Sequence, residues 1–300
     1  MAFGFRNIGK WTSGVGAVAV AGITIASFMP AAPSGANPYD RQSTLYSSVG
    51  RPYSAQNLPH EWWSLSFGGT NAVQLGDKVD LVAPSRLGSA TVMLDSQAIG
   101  TGTFPVSITF TIYKPGISGG SVGDVLATQT KTFNVPYRPA GDPTACGPTS
   151  NSIFPGYSND GTQWFDPSTG SCYYGVVDPA TFNFGSSVAL PSTVVYGISY
   201  DATSGPASSL NVLFSTESQS GGVTVGSDTD PGNLFVQAGP GANALGGTSG
   251  QISCAPVGTT FQEYNTAVGT TGCGTSVQQA SGAPFEPIGF VPAVVINGRS

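Results

Sequence analysis

"VSITFTIY", residues 106–113, alternates without a break: Val106, Ile108, Phe110 and Ile112 share one parity, and Ser107, Thr109, Thr111 and Tyr113 the other. In an extended chain successive side chains point to opposite faces, so this stretch presents one apolar and one polar face. That is the signature of a half-buried strand in an antiparallel sheet. Working outward, the same period recurs at Ser89–Asp95, with Ala90, Val92 and Leu94 inward. It returns at Val194, Tyr196, Ile198 and Tyr200, and at Leu210, Val212 and Phe214. Further strands are expected at Lys78–Val82, Val125–Val135, Tyr173–Val177, Leu234–Gln237 and Ile288–Ile296. No segment after residue 37 combines a helical apolar period with helix caps. Many short strands, each with one apolar face, must pack as two sheets or close as a barrel. The expected fold is therefore all-β: an antiparallel two-sheet β-sandwich of jelly-roll-like type. Long Gly-rich loops are expected at 116–123 and 218–250, and a third loop at 142–170.

Composition supports this class. Only 9% of residues are charged, while Gly and Pro number 42 and 23. Glu, Lys and Arg, which line most helix surfaces, are scarce; Ser, Thr, Asn and Gly replace them, as in a turn-rich β protein. The N-terminus carries Arg6 and Lys10, then an apolar run from Gly14 to Met29 broken only by Thr24 and Ser27, then Ser34-Gly35-Ala36. That order marks residues 1–36 as a secretory signal peptide cut after Ala36, with Ala32 as the alternative site and an uncleaved anchor as the competing reading. The apolar run is shorter than the ~20 residues a membrane-crossing helix needs, so no stable membrane span is expected after cleavage. Residues 37–57 are expected to be a flexible N-terminal segment and 58–300 a single β-sandwich domain. Without Arg6 and Lys10 the balance is 8 basic against 16 acidic residues. Such a surface repels phosphate backbones, which argues against nucleic acid as a partner.

Four cysteines in an exported chain imply two disulfides. Of three possible pairings, loop closure favours the local ones, Cys146 with Cys172 and Cys254 with Cys273. No C-x-x-C pair suggests zinc.

Three segments carry a family resemblance: "GGTNAVQLGDKVDLV" (68–82), "VSITFTIYKPG" with "GDVLATQTKTFNVPYRPAGDPTAC" (106–116 and 123–146), and "VVYGISYDATSGPASSLNVLF" (194–214). Together they resemble a group of secreted actinobacterial proteins of unknown function, in which a jelly-roll-like sandwich follows a signal peptide and some members are surface-anchored. The resemblance covers about residues 68–214. It implies an extracellular β-sandwich and carries over no functional residue.

Candidate sites are weighed against plain structural roles. Trp62, Trp164, Tyr173 and Tyr174, with Phe165, offer rings on which sugars could stack, though aromatics are more often core. In "HEWWSLSF" (60–67), alternation puts Trp63, Leu65 and Phe67 on the apolar face, and His60, Trp62, Ser64 and Ser66 on the polar one. Asp228, Asp230 and Asn233 place oxygen ligands on a bent loop, the pattern of a structural calcium site and equally of an ordinary turn. Gly116-Ile-Ser118-Gly-Gly120 matches G-x-S-x-G, but it lies in a loop between strands and not between a strand and a helix. His60 has no second histidine for a metal site. Glu61, Glu217, Glu263 and Glu286 could supply the two carboxylates of a glycosidase, with nothing to pair them. No catalytic residue is assigned. The function expected is a secreted or cell-surface non-catalytic protein that binds polysaccharide or cell-envelope components. The alternatives are a structural coat or matrix component and a secreted carbohydrate-active hydrolase.

Overall fold

The computed structural model describes residues 42–49, 64–66, 72–117, 120–147, 161–185, 187–216, 223–229, 233–238, 261–265 and 290–299; they fall within the unit Pro38–Ser300. The strands run in chain order as β1 (Gln42–Ser47), β2 (Ser64–Ser66), β3 (Ala72–Asp80), β4 (Ser85–Ser96), β5 (Thr103–Pro115) and β6 (Val122–Pro136). Then come β7 (Trp164–Asp166), β8 (Ser171–Tyr173), β9 (Val176–Asn183), β10 (Ala189–Leu190), β11 (Thr193–Tyr200) and β12 (Leu210–Thr216). Last are β13 (Ser227–Asp228), β14 (Asn233–Ala238), β15 (Gln262–Asn265), β16 (Phe290–Pro292) and β17 (Val294–Arg299). A short 3-10 turn, Gly205–Ser209, is the sole helical element among the described residues.

Two antiparallel sheets pack face to face. In the first, Val92 of β4 pairs with Val294 on one edge and Ala180 on the other, which gives the order β1-β17-β4-β9. In the second the order is β3-β11-β5-β6. Along the chain these eight strands alternate between sheets except at the β5–β6 hairpin. That is the strand order of a jelly roll, in which two Greek keys fold over one another. The expected fold is thus observed. The chain between β11 and β17 adds β12 and β16 to the first sheet and β13, β14 and β15 to the second.

The core follows from the alternation. Val106, Ile108, Phe110 and Ile112 are buried, as are Val194, Tyr196, Ile198 and Tyr200 from the neighbouring β11. Phe110 stacks on Tyr196 at 5.9 Å between ring centres and meets Phe182 of the opposite sheet at 5.6 Å. Tyr46 and Tyr196 are both wholly buried, and desolvation holds their hydroxyls well above the usual phenol range.

The β6–β9 side of the roll is joined by side chains. Lys131 Nζ donates to the carbonyl of Thr181 at 3.0 Å, and Gln129 Nε2 donates to that of Asn183 at 3.1 Å. Lys131 also lies 4.8 Å above the Phe133 ring, whose edge meets Phe182.

Several expectations need correction. β4 is buried on both faces: beside Ala90, Val92 and Leu94, the residues Ser89, Thr91, Met93 and Asp95 are buried too. Met93 belongs to a second apolar cluster with Val49, Val177, Leu213, Ala293 and Val295 on the outer face of the first sheet. The strand expected at Tyr173–Val177 is two strands, broken at Tyr174–Gly175. The strand expected at Ile288–Ile296 is divided between β16 and β17, because Ala293 switches partners: its N–H bonds Leu213 and its carbonyl accepts from Met93. Of the loop expected at 116–123, Val122 and Gly123 belong to β6, and Gly116 N–H bonds the Ser121 carbonyl at 2.9 Å. The expected loops 142–170 and 218–250 contain β7, and β13 with β14, respectively. Residues 42–47 of the segment expected to be flexible form β1, paired along β17.

Candidate functional site

Three surfaces could carry function. The first is the ribbon of β7 and β8. Trp164 lies directly opposite Tyr173, with ring centres 5.7 Å apart. The Cys146–Cys172 disulfide, with 5.7 Å between Cα atoms, ties this ribbon to the turn that follows β6, as the spacing predicts. Arg138 at that turn donates from Nε to the Gln97 carbonyl and from Nη1 to the Thr162 carbonyl. The aromatic groups are heavily committed. Trp164 Nε1 donates to the Gly175 carbonyl at 3.0 Å, the Tyr173 hydroxyl donates to Thr169 Oγ1 at 2.9 Å, and Tyr173 is 7% exposed. Tyr174 is half-buried in the bend. Of the four aromatic candidates the structure therefore brings Trp164, Tyr173 and Tyr174 to one ribbon, with Trp164 and Tyr173 bonded to their own loop; Trp62 lies outside the described residues.

Asp228, on β13, pairs opposite Val79 and close to Asp77 on β3. Both carboxylates push up the hydroxyls of Tyr46 and Tyr196 electrostatically, which places all four side chains near one another. Asp230 lies outside the described residues, and the side chain of Asn233 is not among those described. Among the described residues no three His, Cys, Asp or Glu groups converge as a metal site would need. His60, Glu61, Ser118, Glu217, Glu286, Cys254 and Cys273 also lie outside. Glu263 is placed on β15 opposite Phe235.

The second surface is one that sequence reasoning did not assemble as a site. On the outer face of the second sheet, Ser107 and Thr132, Thr109 and Thr130, and Thr111 and Thr128 face each other across β5 and β6. Their hydroxyls are hydrogen-bonded in pairs at 2.9, 2.7 and 3.0 Å. Each pair uses one of its two protons internally; Ser107, Thr128, Thr130 and Thr132 are exposed, Thr109 is half-buried and Thr111 is buried. Beside this ladder, Tyr113 lies across the sheet, its hydroxyl bonded to Gln74. Gln74 lies over Gly197, where an added Cβ would come within 2.0 Å of its Nε2. The sequence signal was the run T-Q-T-K-T (128–132) opposite S-I-T-F-T (107–111).

The third is a polar island on the outer face of the first sheet. The carboxylate Oδ2 of Asp95 accepts from Ser64 Oγ (2.8 Å), Gln97 Nε2 (2.9 Å) and Asn211 Nδ2 (3.4 Å). Asn211 Nδ2 also donates to Ser64 Oγ at 2.8 Å, and Gln97 Nε2 reaches it at 3.5 Å. Asp95 Oδ1 and Asn211 Oδ1 are buried with no hydrogen-bond partner among the described residues. Asp95 Oδ1 instead packs on Gly175, where a Cβ would sit 1.6 Å from it, so this bend requires glycine.

Burial of Asp95 raises its carboxyl above the ordinary value; hydrogen bonds from Gln97, Ser64 and Asn211 oppose this and do not cancel it. A carboxyl raised on folding favours the protonated native state, so its contribution is complete below the unfolded value near 3.8 and is lost as pH rises through the folded value. Replacement of Asp95 by Asn should remove that increment. Denaturant unfolding of both proteins from pH 7 down to pH 4 should show the wild type gaining on Asp95→Asn as acid is added. Parallel curves would mean that Asp95 titrates normally.

Comparison of the chain with protein-family models, curated proteins and solved structures finds no match.

Proposed function

We propose that this chain is an exported, non-catalytic binding module that attaches to neutral polysaccharide of an envelope or matrix through the outer face of its second sheet. The observation that carries this reading is the ladder of paired hydroxyls on β5 and β6. It is a rigid, uncharged row of donors and acceptors at the strand repeat, on side chains whose own partners fix their rotamers. Polymers with regularly spaced hydroxyls and no charge complement such a face, and the Tyr113 ring beside it adds an apolar contact. The acidic balance of the chain disfavours polyanions. Export is supported by the charged-then-apolar N-terminus and by the Cys146–Cys172 bond, since disulfides persist in oxidising compartments.

Co-sedimentation with insoluble neutral glycans tests the reading. Thr109→Val with Thr130→Val keeps shape and strand propensity while removing two hydroxyls. The double variant should lose at least about tenfold in affinity, the value of one good hydrogen bond, with an unchanged melting temperature. Binding unaffected by the change would remove the ladder as the contact, and absence of binding by the wild type to any neutral glycan would overturn the function.

A further inference from the structure

The geometry points to an intramolecular ester cross-link, formed by the chain itself between Ser64 on β2 and Asn211 on β12. This inference does not depend on what the protein binds. Three features support it. The Ser64 hydroxyl donates at 2.8 Å to a carboxylate that can take its proton, and at 2.8 Å it accepts from Nδ2 of the Asn211 carboxamide, the nitrogen bonded to the carbon it would attack. The carboxylate and the carboxamide are 3% and 4% exposed and so are shielded from competing water, while Ser64 is half-buried. The carboxamide oxygen is buried without a partner among the described residues, as is the second carboxylate oxygen.

The step balances with no external reagent. Ser64 Oγ gives its proton to Asp95 Oδ2 and attacks Cγ of Asn211, forming a C–O bond. The Cγ–Nδ2 bond then breaks, and the nitrogen leaves as ammonia with the proton returned from Asp95. A hydroxyl and a carboxamide become an ester and ammonia, and neither oxidation nor reduction occurs. Fixed proximity replaces the encounter of separate groups, a large contribution to such a reaction. The base beside the hydroxyl supplies the activation a serine needs. Burial that raises the Asp95 carboxyl makes it a stronger base, and its protonated form a competent donor to the departing nitrogen. Loss of the amide also relieves a cost. An ester carbonyl is a weaker acceptor than an amide carbonyl, so leaving it buried and unpaired is less unfavourable. Escape of ammonia to solvent draws the reaction forward.

The product would tie β2, which among the described residues pairs with β12 over Ser64–Ser66, covalently to the sheet. Asp95 is the positioned base here, and Gln97 Nε2, at 2.9 Å from it, is the donor that remains with it afterwards.

Intact mass spectrometry of the full chain, with its start fixed by fragmentation, decides the matter. The wild type should be lighter than its disulfide-corrected sequence mass by one ammonia. Proteolysis should yield a branched peptide joining the Ser64 segment to the Asn211 segment, which hydroxylamine splits. Ser64→Ala, Asn211→Ala and Asp95→Asn should each appear at full sequence mass. Should Ser64→Ala fail to fold, the nearly isosteric Asp95→Asn and the wild-type mass still give the answer. A wild type at full mass overturns the proposal, as does an ammonia loss that maps to a linear peptide, the mark of a succinimide.

Discussion

Truncating Phe110 to Ala is expected to cost about 3–5 kcal/mol of unfolding free energy, the range for removing a large ring from a core that cannot collapse around the gap. The ring sits at the centre of β5 and touches both sheets: it stacks on Tyr196 within its own sheet and meets Phe182 and Phe184 across the interface. Wild-type stability of ordinary size is about 5–15 kcal/mol, so the variant would lose a third or more of it. Urea unfolding followed by tryptophan fluorescence measures the difference. Thr109→Ala, one residue away on the opposite face, should stay within about 0.5 kcal/mol. Comparable losses at 109 and 110 would mean that the outer face of the second sheet is covered in solution and that the hydroxyl ladder is not a free surface.

Removal of the Cys146–Cys172 bond is the second large effect. The bridge closes a loop of sequence separation 26, and the chain-entropy model assigns such a loop about 3 kcal/mol. Cys146→Ser with Cys172→Ser should lose that amount in denaturant unfolding at unchanged fold. The Trp164 region should respond first, because its indole bond to the Gly175 carbonyl depends on the ribbon being held. A loss below about 1 kcal/mol would show that Arg138, through its bonds to the Gln97 and Thr162 carbonyls, fixes the loop without help.

Fold class was legible because alternation is a local property. Val106–Tyr113 needs no partner to reveal which residues face inward, and the same holds for Val194–Tyr200. The break at Tyr174–Gly175 was not legible. Nothing near residue 175 announces that Asp95, far off in the chain, will pack its carboxylate where a Cβ would stand. The double burial of β4 was likewise hidden, since Ser89, Thr91 and Asp95 read as a solvent face until other strands are placed around them. Of the candidate sites, the Trp164–Tyr173 pair was near at hand in sequence and came together. The polar island was not, because Asn211 is separated from Asp95 by 116 positions and from Ser64 by 147. Alternation did assign Ser64 to the polar side of its strand, and that was all the sequence could say of it.

The bonds from Lys131 and Gln129 to the carbonyls of Thr181 and Asn183 bear on how copies of this chain meet one another. A free strand margin offers acceptors at every second residue, and a neighbouring molecule can lay its own backbone along them; fibres and swapped dimers begin in this way. Here two consecutive acceptors on that repeat are already occupied from within by side chains of β6, and one of the two occupants is a lysine, which resists being buried under a second chain. A protein rich in Thr, Val and Gly can therefore be crowded at a surface or in a matrix without templating its own polymerisation along this margin.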